Sequence, residues 1–167
     1  LADFQPPHRQ RRKIARFPMD PRLAASLISA RDFGSLTELL TLVSFLSLQD
    51  IRERPIEHAH KADEAHQKFV DARSDFLTIL KMWDWIETLK REESKSSFKK
   101  TLKKNFLNFR RTVEWSETRD QLARICKTLG LKANTDKASY RAIHLPMIIG
   151  NLSNLARLKD RTQYQGA

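Results

Sequence analysis

Apolar positions in this chain recur three and four residues apart, the spacing that lines one face of a helix. Asp20 can cap a first helix, and Pro21 suits its opening position. Leu23, Leu27 and Ile28 follow on one face, and Gly34 supplies a stop. Ser35 and Glu38 have the spacing of a capping box for a second helix. Leu36, Leu39, Leu40, Val43 and Leu46 form its apolar stripe, and the pair reads as an antiparallel helical hairpin. A polar loop covers residues 49–55. Residues 57–69 read as a mostly polar helix with a thin line of Ala59, Ala62 and Ala65. Ser74 caps a stronger helix, with Phe76, Leu77, Leu80, Trp83 and Ile86 toward one side.

Residues 92–97 break that pattern. Phe98, Leu102 and Phe106 then mark the apolar side of a short basic helix. A long helix is predicted over 105–129, ended by Gly130, with Phe106, Phe109, Val113, Leu122, Ile125 and Leu129 turned inward. A final helix is predicted over 138–158. Pro146 inside it removes a backbone donor and should kink or break it.

The pattern therefore predicts an all-α fold, a bundle of six to eight helices. No alternating strand stands out before Tyr164, and four glycines are too few for a β fold rich in tight turns. The 167 residues suit one domain, and 40% hydrophobic residues suffice for a core. Leu40, Val43, Phe76, Leu80, Trp83, Phe109, Leu122 and Ile125 are its expected members. The hairpin does not recur, so the chain is not a repeat array.

Charge changes the picture most. Lys and Arg number 31 against 20 Asp and Glu, giving a formal net charge of +11. Such a surface seeks a polyanion. The charge is also segregated. Residues 87–111 hold nine basic and three acidic side chains, whereas residues 50–75 hold five basic and seven acidic. Lys99, Lys100, Lys103 and Lys104 repeat at helical spacing and gather on one face, with Arg110 and Arg111 just beyond. Two readings fit that face: a solvated helix surface, or a surface that tracks phosphates. The N-terminal Arg9, Arg11, Arg12, Lys13 and Arg16 pose the same choice between a solvated tail and a phosphate-binding arm.

Candidate chemistry is otherwise sparse. The glycines are too far apart for a phosphate-cradling loop, a dinucleotide-binding turn or a nucleophile elbow. His58, His60 and His66 share a helix with acids, but no HExxH motif is present and a solvated polar face is the expectation. His144 is expected to be a packed structural residue. No paired carboxylates suggest acid–base work. Cys126, the single cysteine, excludes an internal disulfide and reads as a buried, inert thiol. Trp83 and Trp115 read as core. Trp85 lies two residues from Trp83 and faces elsewhere, as a partly buried ring or a stacking platform. The apolar run of residues 36–48 is too short and too polar to span a bilayer. With no secretory signal, the expected location is the cytoplasm.

Six stretches in order resemble the helicase-associated (HA2), ratchet-like region of DEAH-box RNA helicases, in particular the bacterial HrpA type. They are FPMDPRLAASLI (17–28), LSLQDIRERP (46–55), KADEAHQKF (61–69), SDFLTILKMWDW (74–85), NFLNFRRTVEW (105–115) and YRAIHLPMIIGNL (140–152). The resemblance implies a helical domain at residues 19–158 that helps form a channel for single-stranded RNA. Residues 1–18 would be a basic connector from the tail of a winged-helix part. Residues 159–167 would be a linker into an oligonucleotide-binding (OB) fold. Asn108 and Arg110 would face the channel. The parent would be an ATP-dependent helicase whose RecA-like motor domains use ATP and Mg. This chain, opening on Leu1, is then expected to be part of a longer protein, to be monomeric, and to have no cofactor or ATPase activity of its own. The competing reading is a helical protein-interaction module that docks by its basic face on the motor domains or an acidic partner.

Overall fold

A computed structural model describes residues 12–151, 156–160 and 163–166. They contain seven α-helices of nine residues or more: α1 (Pro21–Ser29), α2 (Leu36–Leu46), α3 (Ala59–Gln67), α4 (Asp75–Glu92), α5 (Lys95–Lys104), α6 (Phe109–Thr128) and α7 (Tyr140–Gly150). Strands β1 (Ala156–Asp160) and β2 (Gln163–Gly166) pair as one antiparallel ribbon, with Leu158 opposite Tyr164. The fold is all-α apart from that ribbon. The first eleven residues of the expected basic connector lie outside the described residues. No described helix is long and apolar enough to cross a membrane. The chain divides into two compact units, one from the described residues of 1–43 and 122–167, the other from residues 44–121.

In the first unit α1 starts as its sequence predicts. Asp20 accepts the Arg22 N–H at 2.8 Å, and Pro21 takes the first helical position. The helix continues into a 3-10 turn (Ala30–Phe33) that closes at Gly34, whose φ is 62°. The capping box does not form. Ser35 Oγ donates instead to the Ala142 carbonyl at 2.7 Å, and Glu38 accepts from Asn134 Nδ2 and the Ala138 N–H. The reason lies in α7. Pro146 has no N–H, so the carbonyl four residues before it, that of Ala142, lacks its helical donor. Ser35 fills that vacancy, and α7 runs through Pro146 without a break.

Helix α1 packs against α7. The approach is close: a Cβ on Gly150 would overlap Ser26 Oγ and the Arg22 carbonyl oxygen. Helix α7 also stops short of the predicted Leu158. Gly150 and Asn151 are poor helix interior residues, Asn151 Nδ2 caps the Met147 carbonyl, and residues 156–160 are strand. His144 is half-buried, with its ring stacked on Tyr140. Cys126 is buried, and burial pushes its thiol pKa up to about 11.

The second unit is organised by aromatic rings. Trp115 is fully buried, meets Phe45 and Trp83 edge-on at 4.9 and 4.7 Å, and donates its indole N–H to Ser44 Oγ at 3.1 Å. Helix α4 is capped by Ser74 as predicted, but its buried line is Ile79, Met82, Trp83 and Ile86. Phe76 and Leu80 sit half-buried at the edge, and so do Phe109 and Ile125 on α6. Apolar residues cover more than half of α4's circumference, so spacing alone does not say which part of the arc turns inward. Of the expected core, Leu40, Val43, Trp83 and Leu122 are buried. Helix α2 is buried on nearly every side, Leu42 and Phe45 included, while Leu46 at the end of its expected stripe is 41% exposed.

Replacing Ser35 by alanine should cost about 1–3 kcal/mol, because it leaves a carbonyl without a donor. The same change in a Pro146→Ala background should cost less, since an alanine at that position restores the helical N–H. Urea unfolding of the four proteins measures this coupling; equal costs in both backgrounds would contradict it.

Candidate nucleic-acid interface

Helix α5 opens on Ser94, whose Oγ accepts the Ser97 N–H, and buries Phe98 and Leu102. Lys99, Lys100, Lys103 and Lys104 project from the opposite side, all exposed. Among the described residues none of the four pairs with a carboxylate. Lys103 and Lys104 occupy the last turn, where the helix dipole favours cations. Lys99 Nζ stands 5.7 Å from the centre of the Phe109 ring.

The helix does not run on into α6. Its end is a left-handed turn at Phe106, φ 53°, in which the Phe106 N–H donates to the Lys103 carbonyl and the Leu107 N–H to the Leu102 carbonyl. This is the Schellman arrangement. Gly130 closes α6 with the same pair of bonds, from Gly130 N–H to Lys127 O and Leu131 N–H to Cys126 O. A phenylalanine in the glycine position is strained, by about 1–2 kcal/mol. The expected inward position of Phe106 on two helices is therefore replaced by a joint between them.

That joint is pinned by the segment predicted as a polar loop. Arg52 and Leu107 form an antiparallel bridge: the Glu53 N–H donates to the Phe106 carbonyl and the Asn108 N–H to the Ile51 carbonyl, each at 2.8 Å. His66 Nε2 lies 3.2 Å from the same Phe106 oxygen, so this histidine has a structural partner, whereas His58 and His60 are exposed as expected. Ile51 and Leu107 are buried beneath the bridge.

Asn108 caps α6. Its Oδ1 accepts the Arg111 N–H at 3.0 Å, its Nδ2 donates to Glu53 Oε1 at 2.7 Å, and its carbonyl accepts from Thr112. Both ends of the side chain are thus engaged within the unit. Arg111 is half-buried and donates to the Asp50 carbonyl. Arg110 is exposed on the first turn of α6. The structure brings the four lysines and Arg110 to the surface around one joint, and uses Asn108 and Arg111 to build that joint.

Three further residues gather there. Lys68 Nζ donates to Asn105 Oδ1 and stands 3.9 Å from the centre of the Trp85 ring. Lys68 is exposed as a residue, but packing of its ammonium against the ring partly desolvates it and lowers its pKa. Positions 68, 85 and 105 share no spacing that a sequence pattern exposes. Asn108 was expected to face a channel; the signal for its capping role is asparagine's general preference for the helix N-cap.

Residues 20–79 match the family described as helicase associated domain (HA2), ratchet-like. The chain is 39% identical, over 93% of its length, to an ATP-dependent RNA helicase HrpA homolog of Haemophilus influenzae, and 34% identical over the same share to ATP-dependent RNA helicase HrpA of Escherichia coli. The chain matches the ratchet-like helicase-associated region of HrpA-type RNA helicases. ATP-dependent RNA helicase DHX33 of Mus musculus is 25% identical over 92% of the chain. The chain spans 12% of the length of each of the two HrpA relatives and 21% of DHX33. The lysine face lies beyond residues 20–79.

At position 106 glycine should outperform alanine, reversing its usual deficit of about 1 kcal/mol, because only glycine adopts this φ without a clash. Urea midpoints of Phe106→Gly and Phe106→Ala decide the point. A more stable alanine variant would contradict the strain.

Proposed function

We propose that this chain is the RNA-binding accessory domain of a DEAH-box RNA helicase, with the α5–α6 face beside a single strand in the channel of the parent protein. The observation that carries the reading is a contrast within one unit. Most cations of residues 50–90 pair with acids of the same stretch: Arg52 with Asp50, Arg54 with Asp63, Arg73 and Lys81 with Asp71, and Lys90 with Glu87, Lys61 and Lys68 being the exceptions. The Arg54 guanidinium holds the Asp63 carboxyl below its usual range, and Arg73 together with Lys81 does the same to Asp71. Lys99, Lys100, Lys103, Lys104 and Arg110 engage no such partner among the described residues. Like charges left together repel, and a polyanion laid across them reverses that cost.

On this reading the parent's RecA-like motor domains supply the chemistry of ATP and Mg. This chain contributes backbone contacts that are weak, salt-dependent and blind to sequence. Asn108 acts indirectly, by fixing the start of α6 that carries Arg110. Arg110 adds a planar guanidinium that can contact phosphate or stack on a base.

Fluorescence anisotropy with a short labelled RNA at several salt concentrations tests this. Three or four phosphate contacts give a slope of log K against log[salt] near −2 to −3, at about −0.7 per contact. Lys103→Ala/Lys104→Ala should flatten the slope by roughly 1–1.5 and weaken all sequences alike. Absence of binding at low salt would overturn the reading in favour of docking on an acidic protein surface.

A further inference from the structure

We infer that Trp85, beneath Lys68 and beside the end of α5, is a stacking platform for an unpaired base of the strand that the lysine face holds. The inference rests on the RNA-binding reading and adds to it a site on α3, α4 and the cap of α5. Of the three tryptophans, Trp83 and Trp115 are buried and Trp85 is half-buried. The Trp115 indole N–H is held by Ser44, whereas that of Trp85 has no hydrogen-bond partner among the described residues and is not sealed from solvent. Phe69 meets Trp85 edge-on at 5.2 Å and is itself buried, so the ring is braced from within.

The outer occupant of the ring is Lys68. Its ammonium stands over Trp85, donates to Asn105 Oδ1 and meets no carboxylate among the described residues. Lysine on tryptophan is a cation–π contact that a closed structural tether would also show. Three observations point past a tether. The ammonium is partly desolvated without an anion to compensate. Its second partner, Asn105, directly follows Lys104, so the ring lies where the lysine face ends. Midway along the same helix a second lysine faces a ring, with Lys99 Nζ 5.7 Å from the centre of Phe109.

The chemistry follows. A phosphate drawn to Lys68 restores the charge stabilisation that partial desolvation removes. The ammonium then shifts toward the backbone of the strand and uncovers the indole face, on which any base can stack, since every base has a π face. A duplex hides its base faces, so the ligand is a single strand.

The test uses the full 167-residue chain and three probes: oligo(U) of about ten nucleotides, an abasic phosphodiester strand of equal length, and an RNA duplex. Trp85→Ala should weaken oligo(U) by at least about 5-fold, the low end of one lost base stack, and leave the abasic strand unchanged. Trp85→Phe, which keeps an aromatic face, should lose clearly less. Lys103→Ala/Lys104→Ala should weaken both single strands. In the unmodified chain oligo(U) should quench tryptophan emission and the abasic strand should not, a readout that needs no variant. Equal loss on both strands for Trp85→Ala, or quenching by neither, would overturn the platform while leaving the RNA-binding reading in place. Binding of no probe would overturn both.

Discussion

Phe106 holds a left-handed backbone conformation that phenylalanine adopts only under constraint, and the constraint is visible. Its carbonyl accepts the Glu53 N–H and faces His66, the Asn108 N–H donates to the Ile51 carbonyl, and Leu107 is buried beneath the bridge. Breaking the bridge would release about 1–2 kcal/mol of strain but would strand two backbone bonds and a buried leucine. The turn therefore persists, and it fixes how the lysine-bearing α5 gives way to the arginine-bearing α6. Asn105 on one side of it holds Lys68, and Asn108 on the other side caps α6.

The electrostatics of the unit are arranged around that joint. Arginines at 52, 54 and 73 are each paired within a few residues or across a short loop, so the acidic stretch closes on itself. Among the described residues the lysines of α5 pair with no acid: the helix buries Phe98 and Leu102 on its other side, and its near acid, Glu93, accepts from Thr101. Charge segregation in the sequence thus becomes an unneutralised face in space. The aromatic rings Trp85 and Phe109 lie under its two ends.

How much of this was legible follows from the physics of each element. Helix starts that depend on one residue were readable: Asp20 with Pro21, and Ser74. Stops at Gly34 and Gly130 were readable because glycine alone enters that backbone region freely. The same turn at Phe106 was not, since its cause is a partner more than fifty positions away. Ser35 looked like a cap and became the donor for Ala142, because the proline that empties that carbonyl sits in a helix a hundred residues on. On α4 and α6 Trp83, Ile86 and Leu122 are buried as expected, while Ile79 and Cys126 take the inward places expected of Leu80 and Ile125, as broad apolar arcs allow. The basic face was legible because helical spacing and exposure both follow from α5's own sequence. Lys68 on Trp85 was invisible because only tertiary packing brings them together.

The most direct measurement of the central claim is an amide and indole NMR titration of the ¹⁵N-labelled chain with oligo(U). The perturbed signals should cluster at residues 99–105, at Arg110 and at the Trp85 indole, while Ala142 and Gly150 in the other unit stay still. Perturbations centred on α1 and α7, with α5 silent, would contradict a binding face built on the α5–α6 joint.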